Sequence, residues 1–295
     1  MIILFFYKLK KNLDSKTLYY KCNYSFTINT DSEGFRIGRR VKGKSNILVL
    51  GDSLIFGFVD DNATYPGYLQ NILAEKANIY NTGVPGWGFA EYYLLYKHYV
   101  KKLDPKIVIV GIFTDNDFDD LNDSAWEGKD KGSMPVTPLS RLSCDIDENG
   151  RLVSKGSYYK IPLIRESAVF DFIRFAFWYK NYRRINELFT KINRKPISEE
   201  LSLKILADMA KNNKTKFIFL ILPSKAQFRF NNSPMAKYIE DLKTINNIEV
   251  LDLFPILKKK TENLYIDGIH FNSAGNRYIA YELNKIITDK SLLMD

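Results

Sequence analysis

Residues 46–53 read Asn-Ile-Leu-Val-Leu-Gly-Asp-Ser, an apolar run that ends in a glycine-flanked turn carrying Ser53. A near-continuous aliphatic run is typical of a strand that is covered on both faces of a parallel sheet. The serine after it has two interpretations. It is either a nucleophile or part of an ordinary tight turn, because Asp and Ser are common in turns and helix caps. Taken alone, the stretch does not decide between them.

Apolar runs of strand length recur along the chain and alternate with segments of helical pattern. The predicted strands cover residues 46–50, 79–81, 107–113, 217–222 and 248–251. The predicted helices cover residues 65–76, 89–103, 199–212, 234–244 and 273–287. This alternation predicts an α/β domain with a doubly wound parallel sheet of about five strands.

Two regions do not fit the alternation. Residues 1–44 precede the first strand, and we expect them to form an N-terminal extension that packs on the core domain of residues 45–295. Residues 118–198 interrupt the pattern between the third and fourth strands. Insertions of this length are usually binding loops or lids. Within this one, Asn149-Gly150 signals a hairpin.

The second half of the insertion, residues 168–194, predicts one long helix that is aromatic at its start and basic toward its end. A helix that is apolar nearly all round is usually buried, so packing on the sandwich is the first interpretation. The alternative is an acyl-binding lid, or a peripheral contact with an anionic membrane or an anionic glycan through the basic residues.

The composition is that of an ordinary globular protein. The 295 residues carry a formal net charge of +9, and 45% of them are hydrophobic. The lysines are scattered, which favours a solvated surface over a nucleic-acid partner. The two cysteines lie far apart, and the apolar N-terminus is too short for a membrane span and lacks a cleavage site. We therefore expect a soluble, cytoplasmic protein of undetermined oligomeric state.

Polar and glycine-rich features follow the predicted strands. Ser53 comes after the first strand, residues 81–88 after the second and residues 114–117 after the third. Residues 267–270 come past the fifth strand, before the last helix. Because the carboxyl ends of parallel strands share one edge of the sheet, where ligands bind, we expect these features to converge.

The residue types at this edge suit acyl transfer. A serine hydroxyl needs a neighbouring base, and the chain has only two histidines, one of them in a tyrosine-rich helical stretch. The candidate base for Ser53 is therefore His270, and Asp267 is the carboxylate that would orient it. Backbone N–H groups of Ser53 and Gly86, with the side-chain amide of Asn116, are the candidate oxyanion-hole donors.

These motifs resemble those of the SGNH/GDSL hydrolases. Gly51-Asp52-Ser53-Leu54 resembles the serine signature, and Asn81-x-Gly-x-x-Gly86 and Asp267-x-x-His270 resemble the glycine and histidine blocks. The asparagine block reads Thr114-Asp115-Asn116-Asp117 and lacks the leading glycine of the family pattern. The resemblance covers roughly residues 28–125 and 215–287. Residues 29–36 are also similar to a stretch that precedes the serine block in some bacterial members.

The resemblance implies a flavodoxin-like three-layer α/β/α sandwich and an enzyme without metal or cofactor. It also implies action on esters of small acyl groups, lipids or decorated sugars. An acidic cluster at residues 115–120 has no spacing typical of a metal-binding loop, so we expect it to be a solvated loop.

We therefore expect a serine esterase that hydrolyses an O-acetyl or other short-chain ester on a carbohydrate or related metabolite. Its partner would be a small-molecule or glycan ester. Three alternatives stay open: an O-acyltransferase to a glycan hydroxyl, a lysophospholipase or other lipid esterase, and a catalytically silent glycan-binding homologue.

Overall fold

A computed structural model describes residues 14–19, 24–31, 34–36, 38, 40–118, 144–146, 152–154, 198–211, 214–260 and 262–293. The strands are β1 (Asp14–Tyr19), β2 (Tyr24–Asn29), β3 (Ser45–Leu50), β4 (Ala77–Asn81), β5 (Ile107–Phe113), β6 (Cys144–Ile146), β7 (Leu152–Ser154), β8 (Lys216–Leu222) and β9 (Ile248–Asp252). The α-helices are α1 (Ser53–Phe56), α2 (Tyr65–Ile72), α3 (Phe89–Leu103), α4 (Ser198–Ala210), α5 (Ala236–Lys243), α6 (Phe254–Lys258) and α7 (Ser273–Asp289). Short 3₁₀ helices cover Asp61–Ala63 and Lys225–Arg229.

Five strands form one sheet in the order β4-β3-β5-β8-β9, and every neighbouring pair is parallel. Ile47 of β3 pairs with Ile79 on one side and with Ile107 on the other. The chain thus runs from β3 outward to β4 and then crosses back to β5. The predicted doubly wound parallel sheet is confirmed, and β3 lies beside the point where the winding reverses.

The alternation of side chains along β3 builds the two helical layers. Leu48 and Leu50 are completely buried in a core shared with α3, α4 and α5. Ile47 and Val49, also completely buried, point to the opposite face and pack with α2, α6 and α7. Because the strand is buried on both faces over residues 47–50, all four of these residues are apolar.

The N-terminal region packs on the core through a small aromatic cluster. Strands β1 and β2 form an antiparallel hairpin. Phe26 and Ile28 of β2 are buried against Phe56 and Phe58, which follow the first core strand. The boundary between extension and core at residues 44/45 stays a prediction.

Only short pieces of the predicted insertion lie within the described residues. β6 and β7 pair in antiparallel fashion on either side of Asn149-Gly150, as that hairpin signal predicts. The predicted helix over residues 168–194 lies outside the described residues. In the part of the chain that the structure covers, no helix is both long and apolar enough to cross a bilayer. The cytoplasmic location stays a prediction.

Helix α2 ends four residues earlier than the sequence predicts, and three other helices have ends shifted by one or two residues. The helix expected over residues 65–76 ends at Ile72, because Lys76 N and Ala77 N both bond back to the carbonyl of Leu73 and turn the chain into β4. The cap of α7 is Asn272, whose side chain accepts a hydrogen bond from Gly275 N at 3.0 Å. Ser273 is the first helical residue, as the predicted range has it.

The first turn of α3 contains a buried carboxylate. Glu91 is 7% exposed, and its Oε2 accepts a hydrogen bond from the backbone N–H of Gly88 at 3.1 Å. Burial raises the pKa of Glu91 to about 7, although the backbone N–H groups of Glu91 and Gly88 act in the opposite direction. The folded chain therefore binds a proton at this residue more tightly than the unfolded chain does.

This difference predicts a pH-dependent gain in stability for Glu91→Gln, which keeps the acceptor for Gly88 but carries no charge. In the unfolded chain, the pKa of a glutamate is about 4.3. The free-energy cost of burying the charged Glu91 is therefore fully present above its folded pKa and absent below its unfolded pKa. We expect the variant to be more stable than wild type by on the order of 2 kcal/mol at about pH 8 and equal to it at about pH 4. Urea unfolding at both pH values measures this, with the exposed Glu240→Gln as control. A gain that does not change with pH would contradict the assignment.

Candidate active site

The turn after β3 owes its shape to Gly51 and Asp52. Gly51 has a φ of +156°, and a Cβ atom there would lie 2.2 Å from Cδ1 of Ile55, so a larger residue does not fit. Asp52 caps α1, because its Oδ1 accepts a hydrogen bond from Leu54 N at 2.8 Å. Ser53 thereby becomes the first residue of α1, at the carboxyl end of a central strand.

The turn that carries His270 is built by the side chain of Asp267. Oδ1 of Asp267 accepts hydrogen bonds from the backbone N–H groups of Ile269 at 3.0 Å and His270 at 2.9 Å. Gly268 supplies the left-handed φ of +92° that the turn requires. The other oxygen, Oδ2, lies 2.9 Å from Nδ1 of His270. One carboxylate therefore holds both the backbone of the turn and the imidazole ring.

The two turns meet at the sheet edge. Oγ of Ser53 lies 3.0 Å from Nε2 of His270, which is 217 residues later in the chain. Since Nδ1 faces Asp267, a proton on Nδ1 leaves Nε2 free to accept the proton of the serine hydroxyl. The structure thus brings the three predicted catalytic residues together in one series of hydrogen bonds. The other histidine, His98, lies on α3 with its ring against Tyr99.

A second carboxylate lies beside the serine. Asp52 is 1% exposed, and burial raises its pKa to about 6, while the N–H of Leu54 and the nearby His270 lower it. Its Oδ2 is 3.5 Å from Oγ of Ser53, at the outer limit of a hydrogen bond. The stronger contact is the cap on α1, so Asp52 acts mainly on the geometry of the turn.

The loop after β4 carries Gly86 and is tied to the serine turn. Val84 N donates to the carbonyl of Gly51 at 3.0 Å. A Cβ atom on Gly83 would lie 2.2 Å from Phe56 N, so this loop lies directly against α1. Gly86 itself has a φ of +80°, a left-handed conformation that favours glycine.

The loop after β5 carries Asn116 and is held by the residue after it. Asp117 is completely buried and accepts hydrogen bonds from Phe113 N at 3.0 Å and from the hydroxyl of Tyr92. Because β3 lies between β4 and β5, Gly86 and Asn116 belong to the loops on either side of Ser53. Their roles as oxyanion donors stay predictions.

Two contacts of this site have no signal in the local sequence. The ring of Phe58 lies edge-on to His270, with centroids 4.4 Å apart. Gln227 donates from Nε2 to the hydroxyl of Thr114 at 2.7 Å and to Oδ1 of Asp115 at 2.5 Å. Thr114 stands where the family pattern has glycine, so Gln227 anchors the loop at the point where this chain departs from that pattern.

The 3₁₀ helix that carries Gln227 also contacts the histidine turn. Its first residue, Lys225, donates its backbone N–H to the carbonyl of Gly268 at 2.9 Å. Pro223 lies two residues before this 3₁₀ helix, and its carbonyl accepts a hydrogen bond from the hydroxyl of Tyr265 at 2.8 Å. The segment after β8 therefore joins the loop of Asn116 to the turn of His270.

The described residues offer no metal site: among them, no three His, Cys, Asp or Glu side chains are grouped closely enough to hold an ion. Of the acidic cluster at residues 115–120, the part that the structure covers is used in hydrogen bonds to the protein. Catalysis without a metal or cofactor stays a prediction.

The geometry predicts that Asp267→Asn will lower the reactivity of Ser53. The amide keeps the acceptor for the backbone of the turn but presents an N–H group to Nδ1, which forces the ring proton onto Nε2. The imidazole then cannot accept the serine proton, and we expect the rate of Ser53 labelling by a fluorophosphonate to fall by roughly a thousandfold. Asp252→Asn is the matched control, because Oδ1 of Asp252 likewise accepts the backbone N–H two residues further on, that of Phe254. Equal labelling of both variants would contradict the role of Asp267.

A comparison with models of known protein families gave a match. The sequence model of the GDSL-like Lipase/Acylhydrolase family matches residues 49–278. A search of curated proteins gave no match.

Solved structures with similar folds share little sequence with this chain. One is a carbohydrate acetylesterase family member from Sinorhizobium meliloti (12% identity, 84% of this chain and 99% of that chain, TM-score 0.44). Another is a member of the lipolytic protein G-D-S-L family from Veillonella parvula (14% identity, 83% of this chain and 98% of that chain, TM-score 0.46). A third is the lipase/acylhydrolase from Enterococcus faecalis (14% identity, 83% of this chain and 96% of that chain, TM-score 0.45). Since the family model covers most of the chain, the protein belongs to the GDSL-like lipase/acylhydrolase family and is a carboxylic ester hydrolase.

Proposed function

We propose that the protein removes an acetyl or other short acyl group from a carbohydrate or related metabolite through an acyl-enzyme on Ser53. The observation that carries the proposal is the 3.0 Å contact between Oγ of Ser53 and Nε2 of His270, continued by the 2.9 Å contact between Nδ1 and Asp267. Serine is a weak nucleophile without such a base, and these contacts supply the base and hold its orientation.

In the first half-reaction, Oγ of Ser53 attacks the ester carbonyl while Nε2 of His270 takes the hydroxyl proton. The negative charge of Asp267 stabilises the imidazolium that forms. The N–H groups of Ser53 and Gly86 and the amide of Asn116 donate to the oxyanion of the tetrahedral intermediate. His270 then returns the proton to the leaving alcohol as the bond to that oxygen breaks.

In the second half-reaction, water replaces the alcohol. Nε2 of His270 takes a proton from the water as it attacks the acyl-serine carbonyl, and Oγ of Ser53 leaves with that proton. The products are the free acid and the regenerated serine. Transfer to a glycan hydroxyl would use the same acyl-enzyme, and product analysis with a glycan acceptor separates the two reactions.

The exposure of the site supports an alcohol larger than the acyl group. Ser53 and His270 are half-buried, whereas Ile269 beside the base is 39% exposed. A substrate can therefore place its acyl carbonyl against Oγ of Ser53 while the alcohol part stays outside the protein. The proposed contact of residues 168–194 with an anionic glycan or membrane lies outside the described residues.

Ser53→Ala should abolish hydrolysis of p-nitrophenyl acetate while leaving the thermal unfolding transition in place, because the hydroxyl contributes a nucleophile and little packing. Ser224→Ala is the matched control. Ser224 also lies just past the end of a core strand, and its Oγ is buried without a hydrogen-bond partner in the described structure. We expect Ser224→Ala to keep wild-type turnover. Activity retained in Ser53→Ala would refute the proposal.

The acyl length is tested with p-nitrophenyl esters of increasing chain length, followed by acetylated glycans. We expect kcat/KM to be highest for acetate and to fall by roughly tenfold or more by octanoate, because a pocket sized for a short acyl group excludes further methylenes. Release of acetate from an acetylated polysaccharide would support the carbohydrate part. A preference for long-chain esters or lysophospholipid would favour the lipid alternative instead.

A further inference from the structure

Arg36 is a buried arginine that lies before the region matched by the family. It is 3% exposed. Its guanidinium donates hydrogen bonds to three backbone carbonyls of one turn, those of Phe56 at 2.6 Å, Gly57 at 2.6 Å and Val59 at 2.8 Å. A buried guanidinium with this many acceptors is costly to desolvate, so its position depends on all of them being in place.

The carbonyls of Phe56 and Gly57 lie at the end of the helix that begins at Ser53. Helix α1 has only four residues, and the carbonyls at a helix end need partners from outside the helix. The Nδ2 of Asn81 donates to Ile55 O at 3.1 Å, and Arg36 serves the next two carbonyls. The end of the nucleophile helix is therefore held by side chains from two other segments.

The other edge of the same guanidinium anchors it to the N-terminal region. Nε and Nη2 both lie 2.6 Å from Oδ1 of Asp61, and Nη2 also donates to Thr27 O at 3.1 Å. Asp61 in turn accepts from Asn29 N at 2.9 Å. Arg36 thus joins strand β2, the turn after α1 and the 3₁₀ helix that follows it.

The turn held by Arg36 also contacts the base. Phe58 lies within this turn, is 6% exposed, and places its ring edge-on to His270 at a centroid distance of 4.4 Å. Its other neighbours are Phe56 and, from β2, Phe26 at 6.0 Å. Gly57 N in the same turn donates to the carbonyl of Ser53 at 3.0 Å, so the turn contacts both members of the serine–histidine pair.

We propose that Arg36 is a positioning residue for the reaction: by holding the turn of residues 56–59, it sets the distance between Ser53 and His270. The proposal rests on the catalytic function proposed above for that pair. A misplacement of about 1 Å in such a pair costs roughly a hundredfold in rate. Lysine cannot replace the arginine, because a single ammonium group does not reach a carboxylate and three carbonyls in one plane.

The test compares Arg36→Lys with Arg40→Lys. Arg40 is the matched control because it belongs to the same segment, pairs with Asp31 and stacks on the ring of Tyr80 at 4.3 Å. We expect Arg36→Lys to stay folded and to lower kcat for p-nitrophenyl acetate by roughly ten- to a hundredfold, with KM changed less than about threefold. Arg40→Lys should stay within about twofold of wild type in both. Millimolar guanidinium should restore part of the lost kcat in Arg36→Ala.

Wild-type kcat in a folded Arg36→Lys protein would overturn the proposal. So would equal losses in both arginine variants that follow their melting temperatures, since that result indicates a purely structural role. If Arg36→Lys does not fold, the variant Phe58→Leu tests the proposal instead. It leaves Arg36 in place and changes only the ring through which the turn contacts His270. A lowered kcat in folded Phe58→Leu supports the proposal and a wild-type kcat overturns it. Absence of esterase activity in the wild type would instead contradict the proposed function itself.

Discussion

The hydrogen bond between Oγ of Ser53 and Nε2 of His270 joins the end of the first core strand to the turn before the last helix. The two residues are 217 positions apart in the chain and meet at one edge of the sheet, so their contact depends on how the strands between them are ordered. Bringing two such distant residues together costs conformational entropy. The burial of apolar side chains on both faces of the sheet offsets this entropy loss. The reactive pair is thus a consequence of the fold as a whole and of no single segment.

Around this pair the protein holds polar groups that are largely removed from water. Asp52 caps the nucleophile helix, Arg36 closes its other end, and Asp267 holds the histidine turn. Each is paired with backbone groups or an opposite charge, which offsets much of the cost of removing it from water. Networks of this kind give rigidity, and catalysis by a serine–histidine pair needs a rigid arrangement more than it needs extra stability.

The loops that surround the pair differ in how strongly they are constrained. The serine turn and the glycine loop lie directly against each other, since Gly83 leaves no space for a side chain. The asparagine loop is instead held by side chains, through Asp117 and Gln227. Thr114 replaces the glycine of the family pattern there, and its contact with Gln227 shows how this chain anchors the loop in another way.

The sequence by itself determined the five strands and the three residues of the serine–histidine–aspartate series. Strands β3, β5 and β8 contain near-continuous apolar runs. Each of the three residues lies in a motif with its own local chemistry, such as the Asp267 side chain that caps its own turn. Local pattern was less reliable at helix ends, where α2 ended four residues early. Only the tertiary structure decided the contacts of Arg36 with the nucleophile helix, of Phe58 with His270 and of Gln227 with Thr114. These contacts join residues from distant segments or through side-chain packing, and no local periodicity encodes which side chains will meet once the sheet has formed.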